Sequence, residues 1–350
     1  MAPINTLGYG YVGLNLAMHL DNMRNNVSLF PIGNIEAEPQ YHELIRKLIS
    51  NQGNFNKHAP TLRVFHQFSM AESVGYGDRL GWPIFELNKF NDTEWHHLSS
   101  LDTIIVCSKW AHDIVRDNKI NVSCGVVPLG VDDKVFRPME NVQRDSNTTF
   151  FNCGKWEIRK GHDILIEAFL KAFEPTDNVR LVMHCFNPFD DNNKWIDLYK
   201  NNKMSDKIVI SDNRNIPQQM IAQMMNYADC CVFPSRAEGW NMELLESMAC
   251  GRQCIATNYS AHTEYATKEN CMLIDVDGTE MAYDGRFFFG EGEWAEMGQR
   301  QVDQLIEYMR AVHKEKQEYG NCAQNLPGIE TAKKLNWGET CLALMLELSR

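Results

Sequence analysis

Apolar runs rich in Val, Ile and Phe alternate with segments of helical period along almost the whole chain. In the first part this pattern predicts strands near 26–32 (NVSLFPI), 61–68 (TLRVFHQF), 102–108 (DTIIVCS) and 123–128 (SCGVVP), separated by helices near 11–22, 38–52, 91–100 and 109–117. In the second part strands near 148–153, 178–185, 206–211, 229–234, 252–257 and 271–275 alternate with helices near 161–173, 191–201, 216–228 and 241–250. Strand followed by helix, repeated, implies parallel sheets with helices on both faces. The stretch PLGVDDKVFRPMENVQRDSNTT (128–149) is charged, turn-rich and without helical period, so it reads as a linker between two doubly wound sheets. Beyond about 290 the pattern is helical. The expected architecture is two doubly wound α/β domains followed by C-terminal helices, with ligands at the carboxyl ends of the strands and a cleft between the domains as the natural site.

A length of 350 residues suits two cores of ordinary size better than one. The 11 Cys form no CxxC pair and sit mostly inside apolar runs (Cys107, Cys185, Cys230, Cys231, Cys254), as small hydrophobes do in a reduced, cytoplasmic chain. The N-terminus MAPINTLGYG lacks a basic and an apolar signal region, and no run reaches the ~18 apolar residues of a membrane span. Sequons such as Asn91-Asp92-Thr93 and Asn121-Val122-Ser123 are read as chance matches. A formal charge of −12 disfavours a broad phosphate-backbone surface, and the Lys and Arg residues before position 100 are sparse and scattered.

Candidate chemistry lies in four places. GYGYVG (Gly8, Gly10, Gly13) is a formal GxGxxG match opening a helix, but the strand expected next, at 26–32, does not end in the acid that would bind a ribose. What survives is a glycine-rich helix N-terminus whose N–H groups are open to a phosphate or sugar oxygen, with a ligand-free tight turn as the alternative. FFNCGKWEIRKGHDILIEAF (150–169) sets Lys155, Arg159 and Lys160 before a helix, where cations oppose the helix dipole unless an anion arrives. SRAEGWNMELLESMACG (235–251) places Glu238 before the helix mouth and Glu243 and Glu246 within its first turns. His66 ends a strand, where a packed histidine is the plain alternative, and Asp275-Val276-Asp277 reads as a turn rather than a metal-binding DxD. No His/Asp/Glu cluster has zinc spacing, and no metal site is expected.

Together these stretches resemble a retaining glycosyltransferase of family 4 with the GT-B fold. GKWEIRKGHDILIEAF is similar to that family's phosphate loop, SRAEGWNMELLESMACG to its E-x7-E element, VVPLGVDDKVFRP to its strand and hinge signature, and TNYSAHTEY to the segment after the element. The resemblance covers roughly 100–300. It implies that Glu246 takes the ribose hydroxyls of a nucleotide, that Glu238 and the N–H groups of Gly239, Trp240, Asn241 and Met242 meet the donor sugar and phosphates, and that Lys155 and Lys160, with Arg159 between them, hold the diphosphate. Lys155 stands where the family usually has Arg, which exchanges a bidentate fork for a point charge. Gly8, Gly10, Tyr11 and Gly13 match the family's first loop near the β-phosphate, and His66 matches a catalytic-cleft His by its position at a strand end.

The resemblance implies a nucleotide-diphosphate sugar (UDP- or GDP-sugar) as donor, a glycan, small-molecule, lipid-linked or protein acceptor, and front-face attack without a required metal. A binding module without turnover and a transferase acting on DNA bases are the competing functions. Expected boundaries are an N-terminal acceptor-side domain over 1–140, a C-terminal nucleotide-sugar domain over 141–331 and a helix over 332–350 packing back on the first, preceded by a short strand near 325–332. The two domains are expected to close on the donor.

Overall fold

The structure is a computed structural model describing residues 1–213 and 216–349. It divides into two compact units, Met1–Gly130 with the segment from Leu335 onward, and Val131–Lys334.

The first unit holds α1 (Gly8–Asn22), α2 (His42–Ser50), β1 (Thr61–Phe65), β2 (Arg79–Pro83), α3 (Asp92–Ser99), β3 (Thr103–Val106), α4 (Lys109–Asp117) and β4 (Ser123–Val126). The four strands form a parallel sheet in the order β1-β2-β3-β4. Two helices begin where side chains supply the missing acceptors: Asn91 and Glu94 form a capping box on α3, and Ser108 accepts from Ala111 N–H at 3.1 Å on α4. The expected strand at 26–32 is extended chain with a single bridge, Ala2 to Pro31. Pro31 has no N–H for a ladder, and Gly33 turns the chain at φ 76°. Conversely, β2 was not expected, because Gly81 and Pro83 read as turn residues. It forms because both neighbours pair with it, and Gly81 leaves room for Leu101 and Met70 above it.

The C-terminal helix Trp337–Leu348 belongs to this unit. Asn336 caps it through Glu339 N–H at 3.1 Å, it buries Trp337, Cys341 and Leu344, and Thr340 Oγ1 donates to the Pro128 carbonyl at 2.9 Å.

The second unit runs β5 (Thr148–Gly154), α5 (His162–Ala172), β6 (Val179–Cys185), α6 (Asn193–Lys200), β7 (Ile208–Ser211), α7 (Gln218–Tyr227), β8 (Cys230–Phe233), α8 (Met242–Ala249), β9 (Gln253–Thr257), β10 (Met272–Ile274), β11 (Thr279–Tyr283), β12 (Phe289–Ala295), α9 (Gln299–Tyr319) and α10 (Leu326–Lys334). Six strands form one parallel sheet in the order β10-β9-β8-β5-β6-β7. Phe150, Leu181, Val232, Ile255 and Ile274 from five of these strands join Leu165, Phe169, Leu305 and Met309 in one buried cluster. From β5 the chain builds outward through β6 and β7 and then returns to β8 on the other side, so the crevice of this sheet lies at the carboxyl ends of β5 and β8. The stretch read as a linker is pinned here: Met139 N–H donates to Asn226 Oδ1 at 2.9 Å, and Arg144 holds the Asn226 and Tyr227 carbonyls at the end of α7.

Two elements differ from expectation. The antiparallel hairpin of β11 and β12 follows the parallel sheet and was not foreseen. The segment near 325–332 is helix α10 rather than a strand: Asn325 Oδ1 accepts from Gly328 N–H at 2.9 Å, and Pro327 falls in the first turn, where an N–H has no intrahelical partner to lose.

Candidate active site

The loop after β5 and the loop after β8 leave adjacent strands and meet over the switch point. Gly161, at φ 70°, is the tightest point of approach, because a Cβ there would strike the Pro234 carbonyl. Arg236 N–H donates to the Arg159 carbonyl at 2.7 Å, and the Arg236 guanidinium grips both Asp163 oxygens at 2.9 and 2.8 Å. Both loops are thereby fixed before any ligand binds.

Their charged side chains pair with one another. Arg159, buried, donates to Glu157 Oε2 at 2.8 Å, to Glu238 Oε2 at 2.8 Å and to the Ala237 carbonyl at 2.8 Å. Lys160 Nζ lies 3.1 Å from Glu238 Oε1 and 3.8 Å from Glu243 Oε1, and Lys155 Nζ lies 2.7 Å from Glu157 Oε1. Ser235 Oγ donates to Glu238 Oε1 at 2.8 Å. This corrects the expectation that the loop cations stay unfavourable until an anion arrives: Glu157, Glu238 and Glu243 already offset Lys155, Arg159 and Lys160. It also corrects the placement of Glu238, whose carboxylate is buried between two cations instead of lying open across the helix mouth. Burial alone would raise the Glu238 pKa, but Lys160 and Arg159 outweigh it and hold the group well below the usual carboxylate range. Burial likewise works against the Lys160 ammonium, and Glu238 and Glu243 more than reverse it. Lys155 is the most open of the three cations, its side chain 36% exposed, with the Phe189 and Phe287 rings 5.9 and 5.7 Å from its ammonium.

The turn Glu238–Asn241 is held from one side by the segment after β9. The Glu238 carbonyl accepts from Ala261 N–H at 3.2 Å, and Tyr265 Oη donates to the Trp240 and Asn241 carbonyls at 2.9 and 2.8 Å. In a trans peptide the N–H points opposite to the preceding C=O. The N–H groups of Gly239, Asn241 and Met242 therefore face away from that segment, at the N-terminus of α8. Among the described residues none of the three donates a hydrogen bond, although Gly239 and Asn241 are buried. The Trp240 indole N–H is likewise buried without an acceptor. Orphaned buried donors are rare and call for a partner; the three backbone N–H groups stand at the start of α8, where the helix dipole favours negative charge, whereas the Trp240 ring packs on Tyr265, 4.9 Å between centroids.

Glu246, one turn into α8, is the remaining acid. It has no ion pair or hydrogen bond through its side chain among the described residues, and burial, then Glu243 and Asp132, push its pKa well above the usual range.

In the first unit Gly8 opens α1, while Gly10 and Gly13 are needed for packing, since a Cβ on either would collide with the backbone of Asn5 or Pro3. Tyr11 is half-buried in the first turn. His66 comes beside that turn through a residue that sequence reasoning passed over: the Tyr9 ring lies 4.6 Å from His66, and Tyr9 Oη donates to the Ile84 carbonyl at 2.5 Å. His66 also stacks on Phe68 at 5.1 Å. Asp275 and Asp277 bond to Arg300, Gln301 and Gln304, and among the described residues no group of three His, Cys, Asp or Glu side chains could hold a metal ion.

Sequence reasoning assigned no role to Glu157, Ser235, His262 and Tyr265, although Glu157 stands between the cations of KWEIRK, Ser235 opens SRAEGW, and His262 and Tyr265 lie in TNYSAHTEY.

The fold is that of the GT-B class of glycosyltransferases. Residues 147–284, from β5 to the hairpin turn, match the family Glycosyl transferases group 1. Across the chain the fold is similar to that of Alr3699/HepE from Anabaena, solved with UDP-glucose (TM-score 0.67, 14% identity, covering 97% of this chain and 95% of that one). It is also similar to the sucrose-phosphate synthase of Thermosynechococcus elongatus (TM-score 0.65, 15% identity, 93% and 82%). A pneumococcal O-GlcNAc transferase, GtfA, shares the fold over 77% of this chain and 52% of its own, with TM-score 0.55 and 11% identity. No curated protein matches the chain in sequence. Among the described residues no helix is long and apolar enough to cross a membrane.

Proposed function

We propose that the protein transfers a sugar from a UDP- or GDP-sugar to a hydroxyl acceptor with retention of anomeric configuration. The observation that carries this reading is the row of unpaired N–H donors at the start of α8, with Lys160 held against Glu238 and Glu243 at the same helix mouth and a carboxyl without a cation one turn further. A diphosphate satisfies the donors, and Glu246 accepts hydrogen bonds from ribose hydroxyls. UDP-glucose, with which the Anabaena neighbour was solved, suits the same arrangement.

In the reaction the acceptor oxygen bonds to the anomeric carbon on the face from which the leaving group departs. The bond from that carbon to the β-phosphate oxygen breaks, and this oxygen takes the acceptor proton. The protein's part is to position the reactants and to stabilise the charge developing on the diphosphate through amides and ammonium groups already in place. Arg159 and Glu238 act from behind, keeping the Lys160 ammonium oriented. In the first unit the proposal extends to the N-terminus of α1, with Gly8, Gly10, Tyr11 and Gly13, and to His66, whose replacement by Ala lowers kcat. Acceptors of this chemistry are glycans, small molecules, lipid-linked saccharides or protein hydroxyls.

Calorimetry with UDP, GDP and ADP tests the nucleotide site, and NMR of the product tests retention. Inverted product from an α-configured donor removes front-face attack. Transfer abolished by EDTA and restored by Mg²⁺ removes the metal-free route.

A further inference from the structure

We infer that His262 and Tyr265 are positioning residues that set the anion-binding turn of α8, with the His262 ring latching Asn241. The inference rests on the proposed donor site and gives a role to two residues of the segment after β9.

The latch follows from a chain of hydrogen bonds in which each donor decides the next. Leu244 N–H can only donate, so the Asn241 side-chain oxygen must face it, at 3.1 Å. That leaves Asn241 Nδ2 directed at His262 Nε2, 2.8 Å away. The Thr257 carbonyl can only accept, so the proton of the ring sits on Nδ1, 2.8 Å from that oxygen. Nε2 is therefore bare and accepts from Asn241. One side chain thus caps α8 with its oxygen and is tied to the next segment with its nitrogen.

Asn241 needs such a tie. It holds φ 72° and ψ 79°, in the left-handed region that a non-glycine residue occupies at a cost. A Gly would reach the same backbone without strain but could not cap the helix through a side chain. Ser260, at φ 52°, is a second left-handed residue facing the same turn, and its hydroxyl accepts from Glu238 N–H at 2.8 Å. With Tyr265 Oη on the Trp240 and Asn241 carbonyls, the segment 257–265 grips the turn at Glu238, Trp240 and Asn241. It leaves the N–H groups of Gly239, Asn241 and Met242 on the open side. His262 and Tyr265 are both buried and lie on the opposite side from those donors, so they act through the turn.

The test uses the full chain with His262→Leu, His262→Gln and Tyr265→Phe, titrated with UDP and GDP and with the corresponding nucleosides. The Gln amide offers an acceptor and a donor at nearly the spacing of the two ring nitrogens, so it restores the latch. Expected results are a loss of at least tenfold in nucleoside diphosphate affinity for His262→Leu and about fivefold for Tyr265→Phe, with nucleoside affinity unchanged and His262→Gln within threefold of wild type. A change in folding stability alone would move both ligand classes together. Wild-type protein that binds neither diphosphate overturns the donor site and this inference with it. Wild-type protein that binds, with His262→Leu and Tyr265→Phe keeping the same diphosphate-to-nucleoside ratio, overturns only the positioning role. If His262→Leu does not fold, Tyr265→Phe and His262→Gln decide between the same two outcomes.

Discussion

Glu238 and Glu246 stand eight positions apart and have opposite environments, and their Ala variants should behave oppositely. Removing Glu238 leaves Arg159 and Lys160 buried without their shared counter-charge, which should destabilise the second unit by about 3 kcal/mol. A urea midpoint equal to wild type would show that the network does not depend on it. Removing Glu246 deletes a carboxyl that meets only burial and other acids, so folding stability should hold or rise by up to about 1 kcal/mol. Nucleotide affinity should meanwhile fall roughly 10- to 100-fold, the worth of a hydrogen bond to a charged group. Trp240→Phe removes an orphaned buried donor, so it should stabilise the unliganded protein slightly and weaken donor binding; unchanged affinity would leave the indole N–H without a ligand role. At this scale the charged residues of the two loops were legible in the sequence as candidates, and their pairing was not. Lys160 and Glu238 announce themselves by charge beside glycine. That Arg159 reaches Glu238 across 79 positions, or that His262 latches Asn241 across 21, depends on which strands lie adjacent. Residue spacing carries no such information.

Strands and helices of the parallel sheets were legible because their period is strong and each is buried on a definite face. The hairpin of β11 and β12 was not, since Met281, Tyr283 and Phe289 point to solvent while Gly290 and Gly292 interrupt the alternation. It is held to the body by Arg236, which meets Glu280 at 3.2 Å and whose carbonyl accepts from Ala295 N–H at 2.9 Å. Helix α10 was misread for a different reason: the strand expected near 325–332 came from the family resemblance, whereas here the cap from Asn325 makes Pro327 a helix starter. The C-terminal helix allows a direct test. Its buried Trp337, Cys341 and Leu344 and the Thr340 bond to Pro128 tie it to the first unit, so a chain ending at Lys334 should lose hydrogen-exchange protection in α1 and β4 more than in β5 and β6. Equal loss in both units, or none in the first, would show that this helix is not part of the first unit's folding.

At the scale of the whole molecule, acid should act on the second unit through its buried histidines. His162, His184, His262 and His313 all belong to it, and burial lowers the pKa of each; for His162, burial and then Lys160 bring it down to about 3. Below the ordinary histidine value of about 6.5 the unfolded chain binds protons that the folded chain refuses, so stability falls as pH falls. For His162 the slope runs from about pH 6.5 to about 3 and amounts to roughly 5 kcal/mol in total. The buried carboxylates Glu157 and Glu238 behave with the same sign in a lower window. Their folded pKa values are depressed, so their contribution is complete above the unfolded value of about 4.5 and is lost as pH drops through the folded values. Between pH 6.5 and 4.5 the histidines therefore lower stability, and the raised carboxyl of Glu246, which binds its proton more readily in the folded chain, works against them. Two of them belong to the site: His162 accepts from Glu157 N–H at 3.2 Å behind the cation loop, and His262 latches Asn241, with Glu238, Lys160 and Arg159 as its charged neighbours. Protonating His262 would put a second N–H against Asn241 Nδ2 and open the latch, so donor binding should weaken on the same descent. Urea unfolding followed from pH 7.5 to 4.5 should show the second unit losing stability, and His162→Gln should flatten that loss by about one group's share. A pH-independent midpoint over this range would mean that these histidines bind protons equally in the folded and unfolded chain, so that burial does not hold them neutral.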